Sequence, residues 1–138
     1  MIIMSVDYGD SRTGLAVCDK NEILASPVAV IFEKYEPKVI EQVCLHAKNT
    51  KAELIVVGLP KNMDGSCGER AEKCRSFAAA LEDKSGIKVV MQDERLTTVS
   101  AHRALNEVNV RGKKRKNIVD AVAAVMILED YIASRKHS

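Results

Sequence analysis

An α/β fold, built on a five-stranded mixed sheet with helices on both faces, is predicted by two observations. Three apolar, β-branched-rich runs follow one another closely at the start of the chain, the pattern of an antiparallel meander. The period then changes, and apolar segments of strand length alternate with segments of helical spacing, the pattern of crossovers onto parallel strands. The first run is expected in the middle of the sheet.

Residues 1–6 form a short apolar run of the kind buried on both faces, and residues 13–18 a second. The Gly-containing link between them reads as a hairpin connection. The third run, residues 23–32, contains Pro27, which suits an edge strand or a bulge. In residues 37–48 the apolar side chains Val39, Ile40, Val43, Cys44 and Ala47 fall at helical spacing, with Pro37 fit for the first turn. Residues 53–60 are an almost continuous apolar strand ending in Gly58 and Pro60, as a central parallel strand does at its exit loop. After the loop 61–68, a helix over residues 69–83 carries Ala71, Cys74, Phe77, Ala78 and Leu81 on one stripe, with Gly86 at its end. The last strand, residues 87–91, runs into Gln92-Asp93-Glu94-Arg95-Leu96-Thr97-Thr98, where Thr97 or Thr98 can cap a helix over residues 99–107. Residues 111–116 are expected as a loop, and residues 117–133 as a final helix, apolar nearly all round and therefore buried. The order is β-β-β-α-β-α-β-α-α, without linker or repeat, so residues 1–138 form a single domain.

Composition narrows the function classes. Hydrophobic residues make up 46% and charged residues 29%, which argues against extended disorder. Aromatics are 4% with no Trp, so an aromatic base-stacking platform is disfavoured and any nucleic-acid contact must run through charge. The net charge of +2 does not demand a polyanion partner, but five of the six residues 111–116 are cations, among them Lys113, Lys114 and Arg115. They read either as a solvated loop or as an arm contacting phosphates. Four cysteines without a CxxC pair, no signal peptide and no apolar run of membrane-spanning length lead to the expectation of a cytoplasmic protein with reduced thiols.

The chemistry lies in carboxylates. In an open α/β sheet the loops beyond the carboxyl ends of the parallel strands form the working face. Asp7 stands at the first of these ends, the loop with Lys61, Asn62, Asp64 and Gly65 at the second, and Asp93 and Glu94 at the third. Asp120 is a fourth acid, on a helix face otherwise made of Ala123, Ala124, Ile127 and Leu128. Burying a lone carboxylate costs several kcal/mol unless it is paired or binds a metal, on the order of magnitude known for buried charges. One account of Asp120 is a helix-dipole charge at the N-terminus. The other is that the neighbouring alanines let the helix approach closely, so that Asp120 meets Asp7 and one of Asp93 or Glu94 around a divalent cation. Carboxylates without His or Cys partners select Mg²⁺ or Mn²⁺, which suit phosphodiester hydrolysis. Arg12, Arg95, Lys61 and Asn62 would then position backbone phosphates, and Gly9 and Gly14 would leave room for that backbone beside Asp7.

Four ordered motifs carry a family resemblance: Asp7-x-Gly9-x-x-Arg12-x-Gly14-x-Ala16; Val57-Gly58-Leu59-Pro60-x-Asn62-x-Asp64-Gly65-Ser66; Asp93-Glu94-Arg95-Leu96-Thr97-Thr98 with Ala101; and Asp120-Ala121-x-Ala123-Ala124-x-x-x-Leu128. Over practically the whole chain they resemble the YqgF, or RuvX-like, family of Holliday junction resolvases. The resemblance implies an RNase H-like three-layer fold. It also implies a metal-dependent bacterial nuclease associated with maturing the 5′ end of the small-subunit ribosomal RNA precursor. By similarity Asp7 and Asp120 fall on metal-binding acidic positions, and Thr97 joins the nucleic-acid-binding set. Strand alternation lets only one of Asp93 and Glu94 point into the site, and Glu94 is taken as the third acid. The expected partner is nucleic acid, structured RNA or branched DNA, met by a monomer or homodimer. A junction resolvase and a catalytically silent RNA-binding factor are the alternatives. Asp-x-Gly before a hairpin also opens the halves of actin-like and sugar-kinase folds, but those need two halves around a cleft.

Overall fold

The computed structural model describes residues 1–59, 68–93 and 112–136, with side chains described as far as 92 in the second group and from 122 to 135 in the third. The elements are β1 (Ile3–Tyr8), β2 (Arg12–Cys18), β3 (Ala25–Phe32), α1 (Glu36–Thr50), β4 (Leu54–Leu59), α2 (Glu69–Ser85), β5 (Lys88–Asp93) and α3 (Gly112–Lys136). They build one five-stranded sheet in the order β3-β2-β1-β4-β5. β1 runs antiparallel to β2 and parallel to β4, and β4 parallel to β5. The first strand is therefore the central one, as its unbroken burial from Ile3 to Val6 requires.

Strand alternation divides the core in two. Met4 and Val6 point to one face, where Val39 and Val43 of α1 and Phe77 and Leu81 of α2 pack on them. Ile3 points to the other, with Ala16, Val56 and the α3 residues Ala124, Ile127 and Leu128. The result is a three-layer α/β/α arrangement. Pro27 sits where an edge strand tolerates it, in β3, whose pairing with β2 shifts register between Leu15 and Ala16.

Three expectations change. The run 23–32 is not all strand: β3 begins at Ala25, and Ile23 and Leu24 lie in the preceding turn, both largely exposed. Their amides donate to Asp19 Oδ1 at 2.7 and 3.0 Å, so a loop closed by the Asp19 side chain overrides the β-propensity of the two residues. Residues 112–116 are helix rather than loop, because α3 starts at Gly112. Lys and Arg are good helix formers that carry no apolar period, so the backbone preference was present without its usual signal. Lys113, Lys114 and Arg115 thus belong to the first turn of α3. Nor is α3 buried all round: Ala123, Ala124, Ile127, Leu128 and Ile132 are buried, while Glu129 and Asp130 face solvent. The expected helix over 99–107 lies outside the described residues.

Candidate active site

β1, β4 and β5 end at a common edge. Val6 pairs with Val57 and Val57 with Met91, so these three stand at one level. The next residues on the three strands are Asp7, Gly58 and Gln92, the last two still paired. On its other side Asp7 pairs with Gly14 of β2. The strands flanking Asp7 therefore each offer it a buried glycine, and neither places a side chain next to its carboxylate.

Parity puts Asp7 on the α3 face, with Ile3 and Ser5. Ser5 is fully buried and its Oγ donates to the carbonyl of Ala124 at 2.5 Å, which holds the helix close to β1. Ala123 and Ala124, 2% and 0% exposed, have no side chain large enough to keep it away. The direction of α3 follows from its far end. Arg135 pairs with Glu22 at 3.2 Å, and Glu22 also pairs with the amino terminus of Met1 at 3.1 Å. The carboxyl end of α3 thus lies at the start of β1, and the helix runs antiparallel to that strand. Residue 120, one turn before Ala124, is carried toward the strand end that bears Asp7. Residue 120 is also the ninth of α3 counted from Gly112, beyond the first turn in which a helix dipole acts, so the dipole account of Asp120 loses its footing.

Arg12 opens β2 and is partly buried; parity gives it the same face as Gly14 and Ala16, diagonal to Asp7. Gly9 serves a different purpose from the one expected. A Cβ there would lie 2.2 Å from the Arg12 carbonyl oxygen, so its missing side chain is required by the β1–β2 turn itself. Asp93 ends β5, paired with Leu59; within that strand Val89 and Met91 pack toward α1 and α2, and Val90 toward α3. Lys61, Asn62, Glu94, Arg95 and Thr97 lie outside the described residues. Among the described residues no three His, Cys, Asp or Glu side chains gather as a metal site, and Asp7 is the described member of the expected set. Its hard oxygen donors suit Mg²⁺ or Mn²⁺.

The turn after Asp7 is held from α2 by a residue that the sequence reading left without a role. Arg70 donates through Nη1 to Asp10 Oδ1 at 2.6 Å and through Nη2 to the Tyr8 carbonyl oxygen, and its guanidinium lies 5.2 Å from the centre of the Tyr8 ring. Tyr8 in turn stacks on Phe77 at 4.0 Å, and its hydroxyl is 3.4 Å from Glu36 Oε2. Burial, and then the Glu36 charge, push the Tyr8 phenol above its ordinary value against the pull of Arg70. No local pattern announces the Arg70 contacts, which join positions 60 apart in sequence. Ser5, by contrast, was detectable as the single polar residue of a buried run sharing parity with Asp7.

A family profile described as "RuvX: Holliday junction resolvase" matches residues 1–134. A protein of Halothermothrix orenii named "Putative pre-16S rRNA nuclease" is 45% identical over 132 residues, covering 96% of this chain and 94% of its own length. One of the same name from Lachnospira eligens is 42% identical over 142 residues, with 99% of each chain covered. Among solved structures, Thermus thermophilus RuvC in complex with a Holliday junction substrate aligns with a TM-score of 0.64 at 12% identity, over 100% of this chain and 97% of that one. The fowlpox virus Holliday junction resolvase aligns with a TM-score of 0.59 at 15% identity, over 98% and 99%. These structures share the fold, RNase H-like as the sequence motifs implied.

Proposed function

Since the chain belongs to the RuvX family of Holliday junction resolvases, we propose that it is a metal-dependent nuclease that hydrolyses phosphodiester bonds at the 5′ end of the 16S ribosomal RNA precursor in the cytoplasm. The observation that carries this reading is the setting of Asp7: a carboxylate at the shared end of three strands, flanked by Gly14 and Gly58, under a helix that returns residue 120 to the same end. The names of the relatives from Halothermothrix orenii and Lachnospira eligens supply the RNA substrate.

Asp7, Asp120 and Glu94 form the proposed metal-binding set, with Asp93 as the alternative third acid. Glu94 is preferred on the sequence argument that strand alternation lets only one of the two neighbouring acids point into the site. A divalent cation bound there supplies Lewis-acid polarisation of the phosphate and a water nucleophile at neutral pH. Asp7 sits at the end of a strand that is paired on both sides up to Val6 and with β2 at Asp7 itself, so its backbone is fixed before reaction. Arg12, Lys61, Asn62, Arg95 and Thr97 hold the RNA backbone, and Lys113, Lys114 and Arg115 extend that contact from the first turn of α3.

The test is cleavage of ribosomal precursor RNA, single-stranded RNA and a four-way DNA junction in Mg²⁺ or Mn²⁺, with Asp7→Asn as control. Cleavage of the precursor that disappears in Asp7→Asn supports the reading. Cleavage of the junction alone, by a dimer in solution, would replace it with resolution of branched DNA, since a two-fold substrate calls for two active sites.

A further inference from the structure

We propose that Arg70 is a positioning residue that locks the carboxyl end of β1, and with it Asp7, from the side of the sheet opposite to the active site. Three contacts converge on this one guanidinium. Nη2 holds the carbonyl of Tyr8, the residue next to Asp7. Nη1 holds Asp10 across the turn at 2.6 Å. The guanidinium also lies over the Tyr8 ring, 5.2 Å from its centre, and that ring rests on Phe77. The Asp10 side chain is 79% exposed, so by itself its ion pair is weak. Arg70 is only 33% exposed, and its bond to a backbone oxygen fixes the main chain rather than a flexible side chain.

The geometry gives Arg70 a purpose beyond general stability. The β1–β2 connection is tight, with Gly9 pressed against the Arg12 carbonyl, so a change in the path of residues 8–11 moves both Asp7 and Arg12. Asp7 faces α3, beside Gly14 and level with Gly58. Arg70 acts from the other face, through the backbone of Tyr8. Arg70 lies in the first turn of α2, so it also ties the start of that helix to the strand end carrying Asp7. Lysine cannot reproduce this: an ammonium has one centre, and the fork that spans Tyr8 O and Asp10 needs two.

The consequence for metal binding rests on the proposed role of Asp7, so the experiment reads the two separately in the full-length protein. Amide hydrogen exchange across residues 7–14 and the Mn²⁺ dissociation constant are measured for wild type, Arg70→Ala, Arg70→Lys, Asp10→Asn, Leu81→Ala and Asp7→Asn. Arg70→Ala is expected to speed exchange in the turn and to weaken Mn²⁺ binding by about tenfold, the lower end of what supporting residues contribute to metal sites. Arg70→Lys should fall between it and wild type, and stands in for it if Arg70→Ala does not fold. Asp10→Asn keeps an oxygen that can accept from Arg70 and removes only the exposed charge that Arg70 and, at 3.9 Å, Lys73 pair with, so it should stay near wild type. Leu81→Ala loosens the α2 core without touching the turn, so it should lower the melting temperature while leaving Mn²⁺ affinity unchanged. If the Arg70 variants track Leu81→Ala, losing stability but not affinity, the inference is overturned. If Mn²⁺ binding survives Asp7→Asn, the metal reading fails, and the exchange data alone decide Arg70: unchanged exchange in the turn overturns it, faster exchange sustains it.

Discussion

The two faces of β1 are built from the same six residues by opposite rules. Toward α1 and α2 the strand presents Met4, Val6 and Tyr8, which meet large side chains such as Phe77 and Leu81. Toward α3 it presents Ile3, Ser5 and Asp7; the helix brings Ile127 and Leu128 into the cluster that holds Ile3, but alanines and a backbone carbonyl to Ser5. One face excludes water by bulk. The other brings a helix backbone close to a strand by keeping side chains small, which leaves a carboxylate in a space bounded by Gly14 and Gly58. The apolar face stabilises a strand that the polar face is then free to use, so substitutions on the two sides should separate stability from activity.

The largest expected effect on stability is on the apolar face. Leu81→Ala removes a fully buried side chain and should cost about 2–5 kcal/mol in urea denaturation, with metal affinity intact. A parallel loss of Mn²⁺ binding would break the separation. Gly9→Ala comes next: the new Cβ must displace the Arg12 carbonyl, at a cost of about 1–3 kcal/mol typical of forced repacking. Because that turn connects Asp7 to Arg12, cleavage should fall together with stability, so here, as at Arg70, the two faces are not independent. Ser5→Ala deletes a single buried hydrogen bond to α3 and leaves the Ala124 carbonyl without this partner, for about 1–3 kcal/mol. Its loss of cleavage should exceed that of Leu81→Ala despite a smaller loss of stability, and the reverse order would show that α3 does not set the site.

The smallest effect is a pH dependence. The Tyr8 phenol is raised in the folded protein, first by burial and then by Glu36. The unfolded chain therefore ionises at a lower pH than the native one. The stability linked to Tyr8 is complete below its unfolded value of about 10 and is lost as pH rises through the native value. Tyr8→Phe should make urea midpoints less sensitive to pH above about 10; an unchanged slope there would show that the folded surroundings do not raise the Tyr8 phenol.

Much of this architecture is legible in the sequence because it is encoded over short distances. Buried strands announce themselves as apolar runs, Pro27 marks an edge, and the stripe from Ala71 to Leu81 marks a helix with one apolar face. Asp7 stands out because a carboxylate ends a run that is otherwise apolar. What could not be read depends on competition or distance. Ile23 and Leu24 look like strand until Asp19 captures their amides. The cationic start of α3 has helix propensity but no apolar period to reveal it. Gly9 looks like room for a ligand, and only the fold shows that the Arg12 carbonyl already requires a residue without Cβ there. Arg70 finds its partners 60 and 62 residues away, and nothing in its neighbourhood points to them.

The central claim is that Asp7 binds the metal that cleaves RNA, and the direct measurement pairs Mn²⁺ calorimetry with cleavage of ribosomal precursor RNA in wild type and Asp7→Asn. The account predicts that Asp7→Asn folds with a melting temperature close to wild type and loses Mn²⁺ binding. It also predicts that cleavage slows by about a hundredfold or more, the rate equivalent of several kcal/mol of transition-state stabilisation. An Asp7→Asn protein that binds Mn²⁺ and cuts the precursor like wild type would contradict it.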